Sequence, residues 1–140
     1  MNVAFFLTPV AEVVWLPVDA SVDVALGMMR RHRYSAVPLL DHRGCYVGTL
    51  TEGDLLYHLA DRGLAGAGAR LDEVPRRVEN RAIGVDTDVR ELIQVAVDQN
   101  FVPVVDSRGV LMGIVRRNAI LAQLERLLRS NGLLPTRGEA

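Results

Sequence analysis

The 140-residue chain has a single cysteine, Cys45, and only three histidines, His32, His42 and His58. A lone cysteine forms no internal disulfide, and these four residues do not fall into any zinc-binding spacing. Neither sign of charge predominates. Sixteen basic and 17 acidic residues leave a net charge of -1, without the basic excess that a broad nucleic-acid surface needs. The apolar opening MNVAFFLTPVAEVVWLPV lacks a basic leader and a small-residue cleavage site, and Pro9, Glu12 and Pro17 interrupt it. It is expected to lead into a strand, not to act as a signal or a membrane span. There is no paired general acid and base, no metal cluster and no Walker-type loop, so an enzyme is not expected. These absences together point to a cytoplasmic protein that binds neither nucleic acid nor membrane.

What the chain does have is a hydrophobic content of 49%, enough for one globular unit or two small ones sharing a core. It also contains itself twice. YSAVPLLDHRGCYVGTLTEGDLLYHL, from Tyr34, lies without a gap over QNFVPVVDSRGVLMGIVRRNAILAQL, from Gln99. Val37-Pro38 then meets Val102-Pro103, Asp41 meets Asp106, Arg43-Gly44 meets Arg108-Gly109, and Gly48 meets Gly113. Upstream, VDASVDVALGMM resembles VDTDVRELIQVA, with Ser21 or Thr87 placed to cap a helix.

Each copy reads strand, helix, strand, turn, strand, helix. The stripes Val22, Leu26, Met29 and Val89, Leu92, Ile93, Ala96 have helical spacing and are expected to face a core. DHRG and DSRG are turns, in which Asp bonds its own loop and Gly44 or Gly109 takes positive φ. The valine-rich strands alternate little with polar residues and should be covered on both faces. The Gly- and Ala-rich stretch between the copies is expected to run along the surface, with a short helix near Leu71. Two such repeats should pack as a pseudo-twofold pair around one continuous core.

These units, from about Pro9 to Leu127, resemble the CBS domain pair, or Bateman module, and the opening and QNFVPVVDSRG are similar to small stand-alone bacterial CBS proteins. The resemblance implies an α/β fold of two tandem CBS repeats (β-α-β-β-α). The first repeat would span 9–64, the linker 65–75 and the second repeat 76–129. It further implies a regulatory sensor that binds an adenine nucleotide, AMP, ADP, ATP or cyclic di-AMP, in a cleft between repeats. The nucleotide is a regulatory ligand and no cofactor is expected. The partners that this resemblance implies are a homodimer mate and a separate effector protein of unknown identity.

Carried over residue by residue, the first cleft would join Thr51, near phosphate, and Asp54, on the ribose, to Ile83, Phe101 and Val102 of the other copy. The second cleft would join Arg116 and Arg117 to Val13, Val14, Tyr34, Ser35 and Ala36. In the second copy Arg116 and Ala119 replace Thr51 and Asp54, so a ribose carboxylate is missing while two guanidinium groups suited to phosphate are gained. Glu12 stands where a basic residue is expected.

Structural readings run beside these. Thr51 and Asp54 have the spacing of a capping box. Arg116 and Arg117 suit a solvated helix start or an ion pair with Glu52, and Arg76-Arg77 an exposed linker pair. Tyr34 and Trp15 suit core or interface packing, and Cys45 an inert strand position. Ile120, Leu121, Leu124, Leu127 and Leu128 form a wide helical face, ended by Asn131-Gly132, that reads as a dimer surface. The alternative function is a ligand-free interaction or scaffold module whose cleft is filled by its own side chains.

Overall fold

The computed structural model describes residues 2–135 of the chain. It opens on a short 3-10 turn, Val3–Phe6, and strand β1, Leu7–Pro9. The first repeat follows as β2 (Leu16–Pro17), α1 (Val22–His32), β3 (Ala36–Leu40), β4 (Tyr46–Thr51) and α2 (Glu52–Arg62). The second is β5 (Ile83–Gly84), α3 (Val89–Asp98), β6 (Phe101–Val105), β7 (Leu111–Arg116) and α4 (Arg117–Ser130). In each, a two-residue strand runs parallel to the first arm of an antiparallel hairpin. The register shifts at matching points, Leu39/Leu40 and Val104/Val105.

The hairpin turns form as their sequence predicts. The Asp41 carboxylate accepts from the N–H groups of Arg43 and Cys45, and Asp106 accepts in the same way from Arg108 and Val110. Gly44 and Gly109 supply the left-handed backbone, with φ of 81° and 85°. The two turns also meet each other. Tyr46 N–H donates to Gly109 C=O and Leu111 N–H to Gly44 C=O, both at 3.0 Å, so Cys45 and Val110 face each other across the pseudo-twofold. Cys45 is half-buried at this seam.

Three expectations change. The core is not continuous: one cluster, with Leu16, Val22, Leu39, Leu50 and Leu55, fills the first repeat, and another, with Leu92, Val102, Val104 and Val115, fills the second. Only a small seam of Val13, Phe101 and Ile114, with Ala36 against it, lies between them. The connection between copies does not stay on the surface, because Leu71 is fully buried and Val74 nearly so in the first core. The helix caps also differ. Asp88, not Thr87, caps α3 by accepting from Arg90 N–H, and Ser21 sits at the start of α1 with its hydroxyl donated to Asp23.

The segments that lead into the repeats are exchanged between them. β1 pairs with β7, Leu7 opposite Val115 and Pro9 opposite Gly113, so the chain's start completes the second sheet. An added Cβ at Gly113 would collide with the Thr8 carbonyl, which is why that position suits glycine. Residues 70–77 play the matching part for the first repeat. Leu71 N–H donates to Ala20 C=O, Val22 N–H to Ala69 C=O, and the Arg76 side chain lies over Gly48, the counterpart of Gly113.

Candidate functional site

The exchange brings the start of α4 against the strand approaches of the first repeat, and a cavity of about 280 Å³ opens between them. Val13, Val14, Tyr34, Ser35 and Ala36 line one side, and Arg116 and Arg117 the other. All seven residues assigned to the second cleft from sequence are therefore together. Phe101, assigned to the first cleft, lines this one too, because its ring belongs to the seam between the repeats.

Arginine dominates the cavity's charge. Arg116 is the N-cap of α4 and makes no side-chain cap, which leaves backbone N–H groups of the first turn without that partner. Its guanidinium lies 5.9 Å from the Tyr34 ring centroid, a cation–π approach, and Tyr34 in turn stacks on His32 at 5.5 Å. Arg117 is held differently: it donates to the carbonyls of Ala96 and Val97, at 2.7 and 3.1 Å, at the end of α3. That anchoring fixes its charge at the cleft's edge and replaces the expected pairing with Glu52.

A third arginine was not legible by aligning motifs. Arg33 closes α1 in the left-handed conformation, φ 57° and ψ 37°, the lone non-glycine among the described residues with positive φ. The path from helix start to strand is two residues longer in the first repeat than in the second, and Arg33 sits in that extra turn. The unequal spacing is the sequence signal that marks it. No acidic residue lines the cavity, and Glu12 is exposed outside it.

The first cleft is organised otherwise. Thr51 and Asp54 form the capping box: Thr51 Oγ1 accepts from Asp54 N–H at 3.1 Å, and Asp54 Oδ2 accepts from Thr51 N–H at 2.9 Å. The other carboxylate oxygen, Oδ1, accepts from Arg77 N–H at 3.0 Å, and Asp54 is only 2% exposed. Arg77 lies over Tyr57, 4.2 Å from its centroid, so Arg76 and Arg77 are packed against the first repeat. Ile83 and Val102 are buried in the second core, at 4% and 0% exposure.

The sister copy has no such box at the start of α4. On the spacing that relates Val13-Val14 to Asn80-Arg81, Val10 corresponds to Arg77, and Ala119 takes the place of Asp54. In the first copy Asp54 and the Arg77 N–H satisfy each other.

Among the described residues no group of three or more His, Cys, Asp or Glu is placed to hold a metal ion, and no helix is long and apolar enough to cross a membrane.

Two βαββα-type units related by a pseudo-twofold, with a basic cleft at a helix start between them, define a tandem-repeat α/β module. The family model for the CBS domain matches residues 7–61 and 73–126, and the chain belongs to that family as a CBS pair. A curated relative, uncharacterized protein MK0525 of Methanopyrus kandleri, is 31% identical over 111 residues, 75% of this chain; the chain spans about half of that protein, 54%. A CBS domain protein from Streptococcus pneumoniae has a similar structure, with 26% identity, a TM-score of 0.80, and 89% of this chain and 87% of the other covered. CbpB solved in complex with c-di-AMP shares the fold at 21% identity and a TM-score of 0.84, covering 94% and 89% of the two chains. CBSX2 in complex with AMP does so at 20% identity and 0.75, covering 90% and 97%.

Proposed function

We propose that the protein is a regulatory sensor that binds an adenine nucleotide in the second cleft and relays occupancy to a separate effector protein. The observation that carries this is the cavity of about 280 Å³, lined by Arg33, Arg116 and Arg117 and by no acid. At about 280 Å³ it is just smaller than the roughly 300–1,000 Å³ usual for small-molecule sites. Guanidinium groups and the uncapped start of α4 suit phosphate, while the Tyr34 ring and the Ser35 hydroxyl suit a base. The solved complexes of CbpB with c-di-AMP and CBSX2 with AMP support the ligand class.

A ligand in this cleft touches α4 of one repeat and the β2 and β3 approaches of the other. It therefore favours whichever relative arrangement of the repeats closes on it, by its differential affinity for the two arrangements. The apolar groove between α3 and α4, where Val97 is 69% and Leu121 67% exposed, supports a homodimer through these helices. A second reading, a ligand-free interaction module, draws support from Asp54, whose two oxygens both serve the chain itself.

Thermal shift and calorimetry against AMP, ADP, ATP, cyclic di-AMP and S-adenosylmethionine separate the two. The sensor reading expects saturable binding by at least one adenine nucleotide, with nearby amide shifts at Val14, Ser35 and Arg116. Silence across the panel leaves the interaction module.

A further inference from the structure

We infer that Gln99 is an internal substitute for a ligand's base and keeps the first cleft occupied by the chain itself, so that the module has one open cleft instead of two. Gln99 stands two residues before β6 as Tyr34 stands two before β3. Its surroundings are nonetheless opposite. Tyr34 lines an open cavity, whereas Gln99 is 7% exposed and turned into the protein. Its Oε1 accepts from Arg81 N–H at 2.6 Å, and its Nε2 donates to Arg81 C=O at 3.0 Å and to Phe101 C=O at 3.2 Å.

A donor and an acceptor side by side, engaging the N–H and C=O of one residue, are what the polar edge of a nucleobase also presents. Arg81 corresponds to Val14, one residue further from the two-residue strand than the position that Ala82 and Trp15 share. Val14 lines the open cleft, and no hydrogen bond to its backbone N–H or C=O is found among the described residues. The neighbouring pair differs in the same sense. Asn80 C=O accepts from the Tyr46 hydroxyl at 3.2 Å, and that hydroxyl also meets Thr49 Oγ1 at 2.7 Å. Its counterpart Val13 packs with Phe101 and Ile114. The wall that faces a ligand in one cleft is thus bonded to Gln99 and Tyr46 in the other. A buried amide with three hydrogen bonds has little reason to leave, because release strands the Arg81 and Phe101 groups unless a ligand replaces it.

The inference takes from the proposed function only the identity of the ligand class, and the test separates the two. In 15N spectra of the full-length protein, the Gln99 carboxamide should exchange with water at least about tenfold more slowly than that of exposed Gln94. It should also stay in place when AMP or adenosine is added. Equal exchange rates overturn the inference even if the wild type binds no nucleotide, an outcome that by itself removes only the sensor reading.

Adenosine, which carries no phosphate, is then titrated into Gln99→Ala and into Gln99→Tyr, which copies the sister residue. In a variant that remains folded, amide shifts should appear at Arg81 and Thr51 that the wild type lacks. Shifts at those residues in the wild type, or none in both folded variants, overturn it.

Discussion

The two clefts of this module are drawn on one backbone pattern and finished with different side chains. At the helix start, Arg116 replaces Thr51 and Ala119 replaces Asp54; at the strand approach, Tyr34 replaces Gln99 and Val13-Val14 replace Asn80-Arg81. In the first cleft nearly every polar group is answered from within the chain: Asp54 by Thr51 and Arg77, Gln99 by Arg81 and Phe101, Tyr46 by Asn80. In the second, Arg116 has an aromatic ring for company and a cavity in front of it. A motif that matches a binding signature is thus no measure of availability. Whether its hydrogen-bonding groups are already engaged decides what it does.

The sharpest way to break this contrast is to remove charge from the open cleft. Arg116→Ala with Arg117→Ala should weaken adenine-nucleotide binding at least a hundredfold in calorimetry, since each charge-assisted bond contributes roughly 1.5–3 kcal/mol. Arg116→Ala alone should account for a large part of the loss without releasing the Arg117 contacts to α3. Affinity that survives both changes would move the ligand elsewhere.

The next largest effect tests the closed cleft. Asp54→Ala strands two N–H groups and should cost about 2–4 kcal/mol of unfolding free energy, read from urea titrations. Nucleotide affinity should hardly change. If instead stability holds and binding falls, Asp54 is a ligand group after all. Replacing Arg77 by Pro removes the N–H that Asp54 Oδ1 accepts, so in that background Asp54→Ala should cost about 1 kcal/mol less.

The helix faces offer a third comparison. Exposed Leu56 and Tyr57 lie on α2, and Val97 and Leu121 line the α3–α4 side. Leu121→Glu should lower the sedimentation mass of a homodimer to that of a monomer and leave the circular dichroism unchanged. An unaltered mass would place the interface on another face.

The smallest effect concerns acid. Backbone N–H donors, from Cys45 first for Asp41 and from Arg108 first for Asp106, hold both turn carboxyls below their ordinary 3.8. The unfolded chain binds those protons more readily, so the contribution is present above about pH 4 and is lost as pH falls through the lowered folded values. The urea midpoint should stay level from pH 7 to about 5 and decline below about 4. Asp41→Asn and Asp106→Asn should each shallow that decline, and to similar extents if the turns are equivalent. Asp23, lowered chiefly by the Ser21 hydroxyl, adds a loss of the same sign.

Much of the fold was legible because it is written twice. The alignment of Tyr34 onwards with Gln99 onwards fixes both hairpins, their Asp-Gly turns and the helices that follow, and the structure reproduces each. The helix stripes were less well resolved. Val22 and Met29 are buried as expected, but Ala25 and Val95 join them while Ile93 lies open at 36%. The part that could not be read is pairing at a distance. Neither β1 crossing to β7 nor residues 70–77 entering the first core leaves a local pattern, since short segments rich in Pro and charge look alike whether covered or free. The meaning of Asp54 depended on that pairing, because its partner, the Arg77 N–H, is 23 residues away in the sequence. Arg33 and Gln99 were hidden for a different reason. One depends on a left-handed residue and the other on burial of an amide, and neither can be inferred from residue type alone.

The exchanged leading segments also mean that the unit repeated in the sequence is not the unit that folds. A cut between the copies would separate Leu71 and Val74 from the first core, or β1 from the second sheet, wherever it fell between residues 63 and 82. Val3, Phe6 and Ile120, by contrast, share one core, so the beginning of the chain already lies against α4. The architecture is closer to a ring opened at one point than to two beads on a string. A circular permutant that joins the end of α4 to the start of the chain and opens near Gly68 should keep every strand pairing, whereas a half-length fragment should not.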